Sequence, residues 1–331
     1  ARLRIWRLGV RLFSGAPIGH CKREKLMLED INKQNIVKNL DLNNLFLSAN
    51  LSEINQGCKI LKNDFYLDSF NYFPITFNYK TFTNLYKRQD DNKIDHFYTK
   101  YFYDNLIKRQ SNFKSYENCF LLGSSPSDNY FSNLVYFFPR IFFTNNNNLD
   151  LVIHRNLSNK FRKLIKLICK MREISVKFKY LDDDFYKFYN SEMPQFFPIE
   201  KSVTVLKYFI KKLLSNIKIP NFRDKIYIRR DDVNYRKILN ESDLIKKLRE
   251  NNFEIINPNH FEILEQIKIF SKASVILSPS GSNLTNIIFC KQGTKIIEIG
   301  ASLLKPYEYN ILNRYKNLAN MLGLDYSKVT G

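Results

Sequence analysis

No stretch of this 331-residue chain approaches the roughly 18 uninterrupted apolar residues of a membrane span. The nearest, residues 134–143, is broken by Pro139 and Arg140. Five cysteines (Cys21, Cys58, Cys119, Cys169 and Cys290) include no close pair, so neither a zinc spacing nor a disulfide framework is indicated. A reducing, cytoplasmic compartment is the expectation. There is no internal repeat, and no RRM, KH or zinc signature of a nucleic-acid binder. Acidic residues are in deficit, 32 against 52 Lys and Arg, for a formal net charge of +20. Such a field attracts anions, including nucleotide sugars, nucleic acid and anionic lipid, without choosing among them. The excess of Lys, Asn, Ile, Phe and Tyr runs along the whole chain, as AT-rich coding would produce. Basicity alone therefore carries little functional weight.

What is present is concentrated in residues 226–300, which alternate strand and helix with polar groups at the strand ends. The order is Ile226-Tyr227-Ile228-Arg229-Arg230, a helix opening at Asn240-Glu241, a strand over 253–257, a helix through Gln266 and Phe270, and a strand over 275–278. Then come Pro279-Ser280-Gly281-Ser282-Asn283, a short helix, and a strand over 295–300. This alternation predicts a parallel sheet covered on both faces. Val275-Ile276-Leu277 empties into the glycine turn, and apolar residues 284–290 follow at once. That places the turn at a helix N-terminus, where free N–H groups and the dipole favour a phosphate or diphosphate. Gly281 permits close backbone approach, and Ser280, Ser282, Asn283 and Thr285 can cap or donate. An ordinary βα turn with a Ser/Asn cap fits the same residues. Context favours the ligand: Arg229, Arg230, Arg236 and Lys237 follow one strand and Glu298 ends another, all on the edge where parallel sheets hold ligands. Arginine offers phosphate a bidentate fork, and a carboxylate can accept ribose hydroxyls.

Four ordered blocks over about a quarter of the chain carry a resemblance. They are Tyr227-Ile228-Arg229-Arg230 through Arg236-Lys237-Ile238-Leu239-Asn240-Glu241; Glu265-Gln266 through Phe270-Ser271; Ser278 through Asn286; and Gly293 through Glu298. Two further blocks are Asp128-Asn129-Tyr130-Phe131 to Phe138-Pro139-Arg140, and Tyr315 through Leu318 with Leu322-Gly323-Leu324 and Tyr326. Together these resemble glycosyltransferase family 61 of the bacterial type that builds capsular and surface polysaccharide. The resemblance implies an α/β, GT-B-like fold, two Rossmann-like domains facing a cleft, with a C-terminal helix. It also implies a nucleotide-sugar donor and inverting transfer to a hydroxyl of a glycan or lipid-linked acceptor. Carried over by position, Arg230 and Arg236 contact the diphosphate, Ser280, Gly281, Ser282 and Asn283 cradle it, Glu298 lies near the nucleoside, and Asn240 caps a helix; Arg229 is counted among the donor-binding residues.

The chain departs from the family pattern at Ser280, where many members have histidine, and at Ser132, Asn133 and Tyr136, where the aromatic helix usually carries histidine, an aromatic and an acidic residue. Inverting transfer needs a base, and the candidates are Asp128 and then His260. Asp128 as a helix cap and His260 as a surface residue are the structural alternatives. Asp182-Asp183-Asp184 could hold a divalent cation but reads more simply as an acidic turn, and no metal or other cofactor is expected. A catalytically degenerate nucleotide or glycan binder and a basic nucleic-acid binder are the alternative functions, and no nucleic-acid partner is expected.

The expected domains are a basic segment over 1–20, an acceptor-side Rossmann-like domain over 21–198, a nucleotide-sugar domain over 199–305 and a helical tail over 306–331. Arg4, Arg7 and Arg11 beside Ile5, Leu8 and Leu12 read as a basic amphipathic helix, and peripheral contact with the inner face of a membrane is expected. A targeting remnant or a plain surface helix accounts for it equally. The chain begins at Ala1, which leaves room for a natural start upstream. Helices are expected within 26–40, a strand-like piece over 70–79, and a further βαβ unit over 149–178.

Overall fold

The computed structural model describes residues 12–13, 60–69, 72–77, 112–124, 128–144, 146–215, 223–230, 237–300 and 313–330. The chain divides into two compact units, Cys21–Ser202 and Val203–Gly331 with Ala1–His20. The division falls four residues into the helix Ile199–Leu214. Of the basic N-terminal segment only β1 (Leu12–Phe13) is described, a short strand antiparallel to Lys237–Ile238. The amphipathic helix expected there otherwise lies outside the described residues, as do Arg236 and the helices expected within 26–40.

The N-terminal unit is built on a seven-stranded sheet. Its strands are β2 (Ile60–Asp68), β3 (Phe73–Thr76), β4 (Lys114–Glu117), β5 (Phe120–Leu121), β6 (Asn148–His154), β7 (Ser175–Leu181) and β8 (Phe185–Pro194). β5, β6 and β7 run parallel, and β6, the helix Asn159–Met171 and β7 form the expected βαβ unit. The helix buries Phe161, Leu164, Ile165 and Ile168, an i, i+3, i+4, i+7 stripe that fixes its inner face. The sheet is not Rossmann-like throughout: β2 and β3 form an antiparallel pair, and β2 pairs antiparallel with β8. Phe65 and Phe188, opposite each other on β2 and β8, stack with ring centroids 4.9 Å apart. Such aromatic cross-strand contacts reward pairing by the long strand β8 over a further parallel crossover.

The aromatic segment 130–143 is helical but irregular. An α turn, Tyr130–Ser132, passes into a π segment, Asn133–Phe137, and a 3₁₀ segment, Phe138–Phe143. It carries Arg140, fully buried, whose guanidinium donates to the Tyr72 hydroxyl, to Leu122 O at 2.7 Å and to Pro194 O. Its guanidinium carbon lies 5.0 Å from the centre of the Tyr72 ring and 4.7 Å from that of Phe196. The Tyr72 ring lies on Gly123, where a Cβ would stand 2.0 Å from Cε2. No helix among the described residues is long and apolar enough to cross a membrane.

The C-terminal unit is a five-stranded, wholly parallel sheet. Its strands are β9 (Lys225–Ile228), β11 (Glu254–Ile256), β12 (Val275–Pro279), β13 (Lys295–Gly300) and β14 (Asp325–Thr330); Lys237–Ile238, β10, pairs instead with β1. The spatial order is β11-β9-β12-β13-β14. Helices Glu241–Glu250 and Ile263–Lys272 link β9, β11 and β12; the 3₁₀ helix Ser282–Phe289 links β12 to β13; and Arg314–Leu322 precedes β14. Tyr227, Leu277 and Ile299 bury one face against Leu244 and Leu248, at roughly 1.5–3 kcal/mol per large apolar side chain. The expected tail over 306–331 is corrected in one respect: after its helix the chain re-enters the sheet as β14, so the tail is part of this core. Asn240 occupies the N-cap of Glu241–Glu250 without a side-chain capping bond.

Candidate functional site

From β9 the chain moves to β11 on one side and then to β12 on the other. The two adjacent strands β9 and β12 are therefore a topological switch point, and the crevice outside the carboxyl ends of such strands is where open parallel sheets hold ligands. The residues that leave those ends are Arg229-Arg230 and Ser280-Gly281-Ser282-Asn283. Arg230 Nη1 donates to Ser280 O at 2.6 Å, and its guanidinium lies over Gly281. A Cβ at Gly281 would stand 2.6 Å from Arg230 Cζ. Since Gly281 has φ 171°, an extended value open to any residue, what the glycine provides is the space the Arg230 guanidinium occupies, and a side chain there would make the guanidinium shift. Arg229 goes elsewhere: its Nε lies 3.4 Å from Glu241 Oε2, and Glu241 Oε1 accepts from the Tyr227 hydroxyl at 2.7 Å. Successive residues of extended chain point to opposite sides, so one arginine serves the crevice and the other a surface ion pair.

The turn opens directly into the 3₁₀ helix, whose first N–H groups lack intrahelical acceptors. The side chains of the first turn mostly serve the turn itself. Thr285 Oγ1 donates to Ser282 O at 2.6 Å and Asn286 Nδ2 to Asn283 O at 3.0 Å, while the main-chain N–H of Ser280 donates to Ile299 O of β13 at 2.8 Å. No side chain caps the helix at Gly281.

Glu298, on β13, is 0% exposed. The Tyr326 hydroxyl donates to its Oε2 at 2.7 Å, and its Oε1 has no hydrogen-bond partner. Leaving a buried acceptor unsatisfied costs about 1–3 kcal/mol, a sizeable share of the roughly 5–15 kcal/mol that holds a domain folded. Burial, and then the Glu298 carboxylate, drive the Tyr326 phenol well above its ordinary pKa, so it remains a donor. Tyr315 is hydrogen-bonded to Thr285, and burial pushes its pKa up to about 12. It senses the charges of both Glu298 and Arg230, which joins turn, arginine and carboxylate in one neighbourhood.

The candidate bases stand apart from this cluster in character. Asp128 adopts φ 48°, the left-handed region that Asp tolerates better than most residues. Its Oδ1 accepts from Asn133 Nδ2 at 2.8 Å and from Ser158 N at 3.2 Å. Burial raises its pKa against the opposing pull of Ser158, Lys160 and Arg162. The cap of the aromatic helix is Asn129, which accepts from Ser132 N at 3.0 Å. His260 ends the 3₁₀ turn Pro258–His260 and is exposed.

His154, which belongs to no motif, ends β6 and is 2% exposed. Its Nδ1 accepts from Asn156 N at 3.2 Å, so the ring proton sits on Nε2 and is donated to Asp183 Oδ1 at 2.8 Å. Asp182 pairs with Arg155 at 2.6 Å, and Asp184 Oδ1 accepts from Phe185 N at 2.9 Å. The three acidic residues thus act as an acidic turn with local partners. Among the described residues no group of three or more His, Cys, Asp or Glu is arranged to hold a metal ion. The described cysteines, Cys119, Cys169 and Cys290, are free thiols.

A family model described as Glycosyltransferase 61 matches residues 73–297, more than half of the chain. A search of curated proteins found no match.

Proposed function

The chain belongs to the glycosyltransferase 61 family, and on that premise we propose that it is an inverting, nucleotide-sugar-dependent glycosyltransferase. In this reading it passes a sugar to a hydroxyl of a glycan or lipid-linked acceptor in surface polysaccharide synthesis. The observation that carries the reading is the convergence of Arg230, the Gly281 turn and the half-satisfied Glu298 at the switch point of a parallel sheet. Such an edge suits a nucleoside diphosphate: guanidinium and helix N–H groups for the phosphates, a desolvated carboxylate oxygen for a ribose hydroxyl.

Chemically, the base removes the acceptor hydroxyl proton, the acceptor oxygen bonds to the anomeric carbon from the face opposite the phosphate, and the carbon–oxygen bond to phosphate breaks. The nucleoside diphosphate departs with the electron pair. Arg230 and the turn stabilise the charge that develops there, so the reading needs no divalent cation for that step. Asp128 is assigned as base, since a carboxylate with a raised pKa is better matched to proton abstraction near neutrality; His260 is the second candidate. The two units are taken as the lobes of a GT-B-like enzyme, acting in the cytoplasm at the inner face of a membrane.

One observation favours a second reading, a degenerate member that binds nucleotide or glycan without turnover. Asp128 Oδ1 is already held by two donors, and Ser132 and Tyr136 stand where the family pattern has a histidine and an acidic residue. Isothermal titration with nucleoside diphosphates, run beside transfer and donor-hydrolysis assays over a nucleotide-sugar panel, separates the two. Turnover of any donor with inverted product supports the enzyme. Tight nucleotide binding with no turnover of any donor leaves the binder.

A further inference from the structure

Glu298, Gly300, Tyr326 and Lys328 lie on β13 and β14, beyond the last residue of the family match. The parallel register sets Glu298 opposite Lys328 and Gly300 opposite Thr330, and register partners share a face of the sheet. A cross-strand Glu–Lys ion pair is what such a register invites. It does not form: Glu298 takes the Tyr326 hydroxyl, and its second oxygen stays open in a fully buried position. Lys328 instead runs forward over Gly300. A Cβ at Gly300 would stand 2.3 Å from Lys328 Cε and 3.0 Å from Nζ. Gly300 is thus the seat of the lysine, and any side chain there would displace it. The ammonium is carried to the carboxyl rim of the sheet, the rim where Arg230 meets Gly281.

We propose that Lys328, seated on Gly300, is a second ligand-binding cation of this rim, taking a phosphate oxygen of a nucleoside phosphate while the open Glu298 oxygen accepts from a sugar hydroxyl of the same ligand. Tyr326 is a positioning residue: by occupying Oε2 it keeps Glu298 from closing onto Lys328 and leaves both groups to the ligand. The inference rests on the donor-site reading above and deepens it by assigning the contacts on the two strands nearest the C-terminus.

The test is isothermal titration of the full chain with UDP, GDP, ADP and CDP, then, for the tightest, with the matching bare nucleoside. Lys328→Met is expected to weaken the diphosphate about tenfold, the loss of one charge-assisted hydrogen bond. It should also flatten the salt dependence and leave the nucleoside almost unaffected. Lys328→Arg should retain most of the affinity. Gly300→Ala should reproduce the loss with Lys328 intact, its folding checked by circular dichroism; Lys328→Met carries the test alone if Gly300→Ala is unfolded. Unchanged diphosphate affinity in Lys328→Met, with Arg230→Ala still weakened, overturns the role of Lys328 and leaves the donor site standing. Equal losses for diphosphate and nucleoside overturn the phosphate assignment. Failure of the unmodified chain to bind any of the four nucleotides removes both proposals.

Discussion

The carboxyl ends of the two sheets hold similar residues and treat them differently. At the strand ends of the N-terminal unit three acidic side chains are held by neighbours: Asp128 by Asn133 and Ser158, Asp183 by His154, Asp182 by Arg155. In the C-terminal unit a buried carboxylate oxygen is left without a partner, and two glycines are hollowed to seat cationic side chains. A closed network lowers the energy of the fold; a buried carboxylate oxygen left open raises it, and a ligand donor is one group that would complete it. Polar residues at a strand end are thus poor evidence of a site until their bonds are accounted for.

Variants can break this contrast. The largest effect is expected from Asp128→Asn, which should lower turnover by about 10²–10⁴-fold if Asp128 is the base, with nucleotide affinity unchanged by titration. The same variant reads a pH effect of opposite sign. A carboxyl group whose pKa is raised by folding costs stability once ionised, a cost absent below the ordinary aspartate range and growing as pH rises towards the folded value. Asp128→Asn should therefore gain in Tm over the unmodified chain as pH rises above about 4. Full turnover in this variant would return Asp128 to the closed network.

Next in size, Arg230→Ala should weaken nucleoside diphosphate binding by about a hundredfold while the protein stays folded. Gly281→Ala, which forces the guanidinium off its seat, should cost about tenfold in the same titration. On the closed side, His154→Ala should destabilise by roughly 2–3 kcal/mol through the cavity left by a buried ring, measured by urea denaturation, with nucleotide affinity intact. A loss of affinity there would blur the contrast.

The smallest effect belongs to Asp182→Asn. Its hydrogen bond from Arg155 holds the carboxyl below its ordinary pKa, so the contribution is present at neutral pH and fades as pH falls through the folded value. Both partners are exposed, and solvent screening should leave only a marginal change in Tm at pH 7.

The parallel sheet was legible because each of its elements carries a local signature: an apolar run such as Val275-Ile276-Leu277, a helical period between strands, and a turn at Gly281. The βαβ unit over β6 and β7 was legible for the same reason. Strand order was not, since nothing local tells β12 to lie on the far side of β9 from β11, and it is this order that makes the crevice. Nor could sequence separate Arg229 from Arg230, because adjacent residues differ only in the side to which they point. His154 hid at the end of an apolar strand, and Lys328 in an ordinary alternating one. Their significance lies in partners distant in sequence, Asp183 for the first and Gly300 for the second. The pairing of β2 with β8 was likewise a long-range contact between two aromatic strands that look unremarkable alone.

Arg140 has a consequence for how the N-terminal unit comes apart. Its guanidinium is bound by groups from three stretches far apart in the chain, at Tyr72, Leu122 and Pro194. Detaching the β2–β3 hairpin by itself would take the Tyr72 hydroxyl and ring from a buried cation and leave it with Leu122 O and Pro194 O alone, a cost added to the loss of the hairpin's own contacts. Fraying at that edge is thereby suppressed, and hydrogen exchange along β2, β3 and β8 should report a single shared opening event.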